Sequence, residues 1–235
     1  FMKFEALQLI EPLITALHQK GYTEPTPIQE KSIPHLLKRK DMFGCAQTGT
    51  GKTAAFTLPI IQKLLPNANA STSPARHPIR ALILTPTREL SDQVADNASL
   101  YAKHTDLRTA VVFGGVDIKP QAMTLRAGVE ILIATPGRLL DHLGSKTADL
   151  SQVQILVLDE ADRMLDMGFL PDLQRIINLT QAKASPKVLR KPRLPIYQTF
   201  LAAKSALPRP RSAIVRCPAI RCPCWGGPAT GLALR

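Results

Sequence analysis

Apolar residues recur at helical spacing near the start of the chain and then form short continuous runs. Steps of three and four over 5–18 and over 28–37 predict two amphipathic helices. Further along, runs rich in Val, Ile and Leu predict five buried strands, at 42–45, 81–84, 109–113, 130–134 and 155–158. Helical patterns lie between them, at about 53–65, 87–103, 117–127, 137–143 and 161–178. The polar, proline-bounded stretch 66–78 predicts a mobile surface loop.

The alternation of strands and helices predicts right-handed βαβ crossovers, and therefore a doubly wound parallel sheet of the α/β class. Continuous apolar strands indicate burial on both faces, so helices should cover the sheet from two sides in three α/β/α layers. Ligands of such sheets bind beyond the carboxyl ends of the strands. We therefore expect one functional edge, formed where the predicted strands end, at Ala46, Thr85, Gly114, Thr135 and Asp159.

A glycine-rich loop connects the first predicted strand to the helix that follows it. It consists of Ala46, Gln47, Thr48, Gly49, Thr50, Gly51, Lys52 and Thr53. Gly49 and Gly51 let the backbone curl and aim successive N–H groups at one anion, and the helix N-terminus adds its positive dipole end. Lys52 is placed to reach the β- and γ-phosphates of a nucleotide, and the Thr53 hydroxyl to hold Mg²⁺. The alternative is a glycine-rich turn without a ligand.

An acidic pair, Asp159 and Glu160, follows the last predicted strand directly. Carboxylates just past a buried strand are costly unless a cation lies nearby, and Mg²⁺ bound to a nucleotide at the opposite loop would supply one. Asp159 would hold the metal through its waters, and Glu160 would orient and deprotonate the attacking water. The alternative is that both acids only cap the next helix.

The net charge of +12 is confined to the end of the chain. Residues 181–235 contain 11 Lys and Arg and no acidic residue, whereas residues 1–180 contain 19 basic and 18 acidic residues. The charge is therefore no evidence for nucleic-acid binding by residues 1–180. The three cysteines of this end match no common zinc spacing. The absence of a long apolar run or a signal-peptide core predicts a cytoplasmic protein without a membrane segment.

Six ordered motifs resemble the first RecA-like domain of a DEAD-box ATP-dependent RNA helicase, with most similarity to RhlE-type members. The resemblance runs from Phe4 to about Leu179. The motifs are Gly21 to Gln29 (Q motif), Ala46 to Thr53 (motif I), Pro86 to Leu90 (motif Ia), the Gly114-Gly115 doublet, Thr135 to Arg138 (motif Ib) and Asp159 to Asp162 (motif II). The resemblance implies a P-loop NTPase domain with ATP and Mg²⁺ as cofactors and RNA as a partner.

The resemblance also implies roles for single residues. Gln29 would read the adenine edge with its amide, with Phe4 packing near the ring and Tyr22 in the same nucleotide-binding set. From the residues alone, Gln29 would be interpreted as a glutamine in a turn. The sugar-phosphate backbone of single-stranded RNA would be bound by Pro86, Thr87, Arg88, Gly115, Thr135, Pro136 and Arg138. Asp162 would couple motif II to motif III and to a second domain.

The resemblance does not extend through the end of the chain, where the expected Ser-Ala-Thr of motif III is missing. We therefore predict a helix and Q motif over 1–30, a RecA-like domain over 31–180, and an unmatched basic tail over 181–235 that is out-of-frame or disordered. Loss of the strand that carries motif III would leave a gap in the sheet. The second RecA-like domain is also missing, so we expect weak Mg²⁺–nucleotide binding and little turnover. The alternative is a non-catalytic module that binds ATP and RNA.

Overall fold

The computed structural model describes residues 3–46, 49–182, 196–201 and 232–233. Its helices are α1 (Glu11–Gln19), α2 (Pro27–Leu37), α3 (Lys52–Leu64), α4 (Arg88–Ala102), α5 (Ile118–Arg126), α6 (Pro136–Gly144), α7 (Ala161–Asp166) and α8 (Leu170–Ala182). Short 3₁₀ turns occur at Phe4–Leu7, Leu65–Asn67 and Pro74–Arg76. None of the described helices has both the length and the apolarity needed to cross a bilayer.

The strands form one sheet in which every described pair is parallel. They are β1 (Gly44–Cys45), β2 (Ala81–Leu84), β3 (Thr109–Val112), β4 (Ile131–Ala134), β5 (Ile155–Asp159), β6 (Ile196–Leu201) and β7 (Leu232–Ala233). Their spatial order is β3-β4-β2-β5-β6-β1-β7. The sequence order differs from this spatial order, as expected of a doubly wound sheet whose crossovers are helices.

The alternating residues of the central strands face two separate apolar clusters. Ile83 of β2 and Val157 of β5 belong to the cluster that includes α1 to α4, whereas Leu82 and Leu156 belong to the cluster that includes α6 and α8. Each strand is therefore buried on both faces, because helices pack on both sides of the sheet. This arrangement confirms the predicted three-layer α/β architecture.

The helix predicted over 161–178 is wrong, because the chain turns sharply after α7. Gly168 adopts a left-handed conformation (φ 80°), which glycine tolerates without a Cβ penalty. The N–H of Gly168 donates to Leu165 O and that of Phe169 to Met164 O, both at 3.0 Å. These two bonds form a Schellman motif, which ends α7 and lets α8 start in a new direction.

The single helix predicted over 5–18 is also wrong, since a break separates the 3₁₀ turn from α1. Gln8 has a left-handed backbone (φ 60°), and Ile10 is extended. The Gln62 side chain of α3 bridges this break, because its Oε1 accepts from Ile10 N (3.1 Å) and its Nε2 donates to Gln8 O (2.8 Å). The break therefore docks the start of the chain on α3.

The gap predicted in the middle of the sheet is not observed. Strand β6 lies between β5 and β1, with Val157 opposite Tyr197 and Gly44 opposite Phe200. The backbone of β5 is therefore paired on both sides, by β2 and by β6. The remaining residues of the predicted tail, 183–195, 202–231 and 234–235, lie outside the described residues, so its predicted origin stays a prediction.

Residues 66–78, predicted as a mobile loop, are tied to the sheet through His77. The His77 side chain is fully buried, and its Nδ1 lies 2.6 Å from Glu130 Oε1 while its Nε2 lies 2.6 Å from Ser71 O. The second oxygen of Glu130 accepts from Arg108 N (2.9 Å). Glu130 therefore precedes β4 as an anchor at the amino ends of the strands, opposite the edge at which ligands are expected.

Candidate active site

The predicted functional residues gather where the parallel strands end. Ala46, Thr85 and Thr135 follow β1, β2 and β4 directly, and Asp159 is the last residue of β5. Because these strands are parallel, their carboxyl ends lie at the same edge of the sheet. The sequence prediction of one functional edge is consistent with this placement.

The described part of the glycine-rich loop has the conformation that its glycines allow. Gly49 (φ 84°) and Gly51 (φ 88°) both lie in the left-handed region. Lys52, the first residue of α3, is buried, and its Nζ donates to Ala46 O across the loop (2.8 Å). Thr53 and Thr50 are half-buried. Gln47 and Thr48 lie outside the described residues.

Gln29 joins the Q motif to the glycine-rich loop. Its Nε2 donates to Gly51 O (3.1 Å), and its Oε1 accepts from Thr26 N (3.0 Å), which is the reach-back bond of a capping box at the start of α2. A Cβ at Gly51 would collide with the Gln29 side chain. Gly51 is therefore required both by its positive φ and by the close approach of Gln29.

The two aromatic residues predicted for the nucleotide-binding set differ in their exposure. Phe4 is 1% exposed and belongs to the first apolar cluster, so its ring is covered by protein. Tyr22 is 40% exposed, and Lys20 Nζ lies 5.7 Å from its ring centroid. The same ammonium lies 5.6 Å from the Tyr101 ring on α4. Tyr22 is therefore part of a cation–π contact between α1 and α4.

Asp159 is a buried carboxylate in an unfavourable environment. Asp159 is 3% exposed, and its Oδ1 has no hydrogen-bond partner among the described residues. Burial raises the pKa of Asp159 from 3.8 to about 7, an effect that the positive charge of Lys52 opposes and the negative charge of Glu160 reinforces. A buried carboxylate oxygen without a described partner is a favourable position for a cation or a hydrogen-bond donor.

The donor set at this position suits Mg²⁺. The ion prefers oxygen ligands and usually combines one or two protein groups with water and substrate phosphates. Asp159 supplies a buried carboxylate oxygen, and Thr53 supplies a hydroxyl on the first turn of α3. No cluster of three or more His, Cys, Asp and Glu suited to a metal occurs among the described residues.

Glu160 and Asp162 follow on the loop that leads into α7. Glu160 has a left-handed backbone (φ 51°), which is costly for a residue with a Cβ. Its Oε2 lies 3.4 Å from Arg163 Nη1, and its side chain is 15% exposed. Asp162 is half-buried, and burial raises the pKa of its carboxyl group.

The predicted RNA-binding residues of motif Ia lie where β2 passes into α4. Pro86 is buried, and Thr87 caps α4 by accepting from Leu90 N (3.4 Å). Arg88 is exposed, and its guanidinium carbon lies 5.0 Å from the centroid of the Phe113 ring. Arg88 is thus held in place by stacking while its charge stays at the surface.

The predicted residues after β3 and β4 lie beside this group. Gly115 is exposed with a positive φ of 81°. Thr135 is the N-cap residue of α6, and Pro136 is its buried first residue. The Arg138 side chain is only 12% exposed, and its Nη2 donates to Val116 O (3.0 Å). Arg138 therefore supports the loop after Gly115 as well as presenting charge.

Two residues near this edge escaped the sequence analysis. Gln121 on α5 bonds both backbone groups of Phe113, and His142 on α6 lies 3.4 Å from Gln121 Oε1. Neither residue belongs to a recognisable motif. The contact between Gln29 and Thr26 could have been found, because Thr-x-x-Gln before an apolar run is a capping-box pattern.

Comparison with known proteins gives consistent matches over most of the chain. The DEAD-box ATP-dependent RNA helicase RhpA of Helicobacter pylori (strain B128) is 44% identical over 181 residues, which cover 77% of this chain and 35% of that protein. The ATP-dependent RNA helicase DeaD of Escherichia coli (strain K12) is 46% identical over 175 residues, which cover 74% of this chain and 27% of that protein. The chain thus spans about a third of the length of these relatives.

A solved structure and a family model agree with these relatives. The crystal structure of a hypothetical ATP-dependent RNA helicase from Sulfolobus tokodaii superimposes with a TM-score of 0.68 at 34% identity, over 82% of this chain and 50% of that one. The described fold is therefore the RecA-like α/β domain of such helicases. The family model for the DEAD/DEAH box helicase matches residues 26–199. The chain belongs to the DEAD/DEAH box helicase family.

Proposed function

We propose that this chain is the ATP-binding RecA-like domain of an ATP-dependent RNA helicase. The whole protein would hydrolyse ATP in response to RNA and use the cycle to separate short duplexes locally. The family membership and the named relatives support this activity, and the geometry of the strand edge supports the residue roles. The proposal for this chain alone is binding of Mg²⁺–ATP and of the RNA backbone.

The environment of Asp159 is the observation that carries the proposal. A buried carboxylate whose Oδ1 has no described partner and whose pKa is raised to about 7 destabilises the ligand-free domain. A divalent cation at this position would restore the carboxylate form and remove that cost. Asp159 and Thr53 would hold Mg²⁺, which would neutralise charge on the nucleotide phosphates when bound.

The glycine-rich loop and Gln29 would select the nucleotide together. Lys52 would exchange its bond to Ala46 O for the phosphates, where a charge-assisted contact is stronger. The Gln29 amide is oriented by Thr26 N and Gly51 O, which leaves one N–H and one lone pair for an adenine edge. A phosphate that moves the loop at Gly51 would therefore also move the group that reads the base.

Glu160 would act on the water that attacks the terminal phosphate. Its carboxylate is close to Asp159 and is held by Arg163 on a strained turn, which fixes its direction. Asp162 would connect this loop to a second RecA-like domain. That second domain would supply arginines for the transferring phosphoryl group, whose loss lowers the rate by about 10³–10⁵-fold.

RNA would bind along the neighbouring part of the same edge. Arg88 and Arg138 supply charge, Thr87 and Thr135 supply hydroxyl groups, and the exposed Gly114-Gly115 doublet supplies backbone N–H groups. All of these are contacts suited to phosphate and sugar, so we expect binding without base preference.

Nucleotide selectivity tests the proposal most simply. Affinities for Mg²⁺–ATP and Mg²⁺–GTP are measured by calorimetry for the wild-type chain, for Gln29→Ala and for Gln93→Ala, an exposed glutamine of α4. We expect the wild type and Gln93→Ala to prefer ATP by at least about tenfold, and Gln29→Ala to lose that preference. The ratio is informative even if Gln29→Ala weakens the capping of α2, since a folding defect affects both nucleotides equally. Equal affinities in the wild type, or a preference that survives in Gln29→Ala, would contradict the proposal.

A further inference from the structure

Phe113 follows β3, and none of the described strands pairs its backbone. Strand β3 ends at Val112, whose carbonyl accepts from Thr135 N (3.1 Å), and the chain then turns away into the glycine doublet. The Gln121 side chain takes over as the partner. Its Oε1 accepts from Phe113 N (3.2 Å), and its Nε2 donates to Phe113 O (3.1 Å). One amide side chain thus continues the ladder by one residue at the edge of the sheet.

The orientation of this amide is fixed by its partners. Phe113 N is a donor, so the oxygen of Gln121 must face it, and the same oxygen then faces His142 Nε2 at 3.4 Å. His142 Nδ1 lies 2.8 Å from the Thr147 hydroxyl, which itself donates to His142 O (3.1 Å), so both ring nitrogens of His142 have a polar neighbour. Burial, with a further contribution from the charge of Arg138, lowers the pKa of His142. The neutral imidazole is thus the form that suits this position.

The same loop is held at three points by three helices. Arg88 at the start of α4 stacks on the Phe113 ring, Gln121 on α5 binds the Phe113 backbone, and Arg138 on α6 binds Val116 O (3.0 Å). Gly114 and Gly115 lie between these points and are exposed. Their N–H groups are therefore presented on a segment whose two ends are fixed.

We propose that Gln121 is a positioning residue for RNA: it holds the Gly114-Gly115 backbone in the conformation that binds a sugar-phosphate chain. His142 orients Gln121 in turn. This inference rests on the proposed RNA-binding function and assigns a role to residues outside the family motifs. Pre-organised N–H groups bind an anion without the cost of ordering the loop, so loss of the Gln121 amide should weaken RNA binding and leave nucleotide binding unchanged.

The test compares Gln121→Met and Gln121→Ala with the wild-type chain and with Gln174→Ala, an exposed glutamine of α8. Met retains the volume of the side chain and removes both hydrogen bonds, so it separates packing from positioning. The probe is a fluorescein-labelled oligouridylate of about ten nucleotides, titrated at low salt with a saturating non-hydrolysable ATP analogue and Mg²⁺. Affinity for the ATP analogue and hydrogen exchange of the 113–117 amides are measured on the same samples.

We expect both Gln121 variants to bind the RNA about 3- to 10-fold more weakly, with unchanged analogue affinity and faster exchange over 113–117. Gln174→Ala should match the wild type in all three measurements. RNA affinity in Gln121→Met equal to that of the wild type overturns the positioning role and leaves the proposed function standing. A wild-type chain that does not bind the oligouridylate overturns both. Equal losses of RNA and analogue affinity would show a general structural role instead.

Discussion

At the scale of single residues, Asp159 is a candidate site residue whose burial lowers the stability of the ligand-free domain. The residue ends a strand buried on both faces, which places its carboxylate in a medium that disfavours charge. Gln29 shows the opposite arrangement, because its amide satisfies two backbone groups and stabilises the ligand-free loop. In the proposed site both residues contact the same Mg²⁺–nucleotide. Asp159 would lose the desolvation cost of its carboxylate, whereas Gln29 would add hydrogen bonds to the two that its amide already makes.

Asp159→Asn should stabilise the ligand-free chain in a pH-dependent way. The folded pKa of about 7 lies above the value of 3.8 in the unfolded chain, so the folded state binds the proton more tightly, and wild-type stability falls as pH rises between these values. The full shift corresponds to at most about 4 kcal/mol. We expect Asp159→Asn to be more stable than the wild type by about 2–4 kcal/mol at about pH 8, and by less than half of that at about pH 5.

Urea unfolding in the presence of EDTA at the two pH values measures this difference. Asp172→Asn serves as the control, since Asp172 lies in the first turn of α8 and belongs to none of the predicted site residues. A stability difference between Asp159→Asn and the wild type that is the same at both pH values would show that the carboxylate is not strained by burial.

At the scale of elements, helices and strands with a local apolar pattern could be predicted from the sequence. Turns and breaks that depend on single residues or on contacts between distant segments could not. The five predicted strands match β1 to β5 within about two residues, because continuous Val, Ile and Leu mark burial on both faces. Strands β6 and β7 were missed, since they lie in the stretch that was predicted to be an unmatched tail. The division of 161–178 into α7 and α8 depends on one glycine, Gly168, within an otherwise periodic stretch. A helical pattern tolerates such a glycine, so periodicity alone could not place the turn.

The same limit applies to the candidate site. The glycine-rich loop and the acidic pair have sequence patterns that indicate their proposed chemistry. Gln121 has no such pattern, because its contact with Phe113 forms only when α5 packs against the end of β3. The pairing of His77 with Glu130 joins residues 53 positions apart. Neither His77 nor Glu130 lies in a sequence pattern that indicates a partner, so their contact could not be predicted from the segments around them.

The His77–Glu130 anchor should contribute strongly to the stability of the domain. Both side chains are fully buried, and Glu130 also accepts from Arg108 N, so Glu130→Ala removes the Glu130 partner of His77 Nδ1 and of the Arg108 backbone N–H. We expect a loss of about 3–5 kcal/mol in the free energy of unfolding, as for a broken buried pair. Glu24→Ala, at an exposed loop glutamate, should change it by less than about 0.5 kcal/mol. Urea unfolding of the wild type and the two variants measures these free energies. A loss in Glu130→Ala no larger than that in Glu24→Ala would refute the role of the His77–Glu130 pair in stability.

At the scale of the whole molecule, the described sheet separates its tasks by edge. The amino ends of β2, β3 and β4 hold the buried anchor around Glu130, while the carboxyl ends hold every predicted ligand-binding residue that lies after a strand. The stable edge fixes the relative positions of the strands, and the opposite edge can then carry strained turns and a buried charge. Strand β6 pairs with both β5 and β1. It therefore fixes the relative positions of the two strands that lead to Asp159 and to the glycine-rich loop.

The affinity of the chain for Mg²⁺–ATP, with and without the Lys52 ammonium, tests the central claim most directly. Calorimetric titrations compare the wild type, Lys52→Ala and Lys31→Ala, an exposed lysine of α2, after circular dichroism has shown that all three are folded. We expect the wild type and Lys31→Ala to bind Mg²⁺–ATP equally, and Lys52→Ala to bind at least about tenfold more weakly because a charge-assisted phosphate contact is lost. Equal affinity of folded Lys52→Ala and the wild type for Mg²⁺–ATP would contradict the central claim.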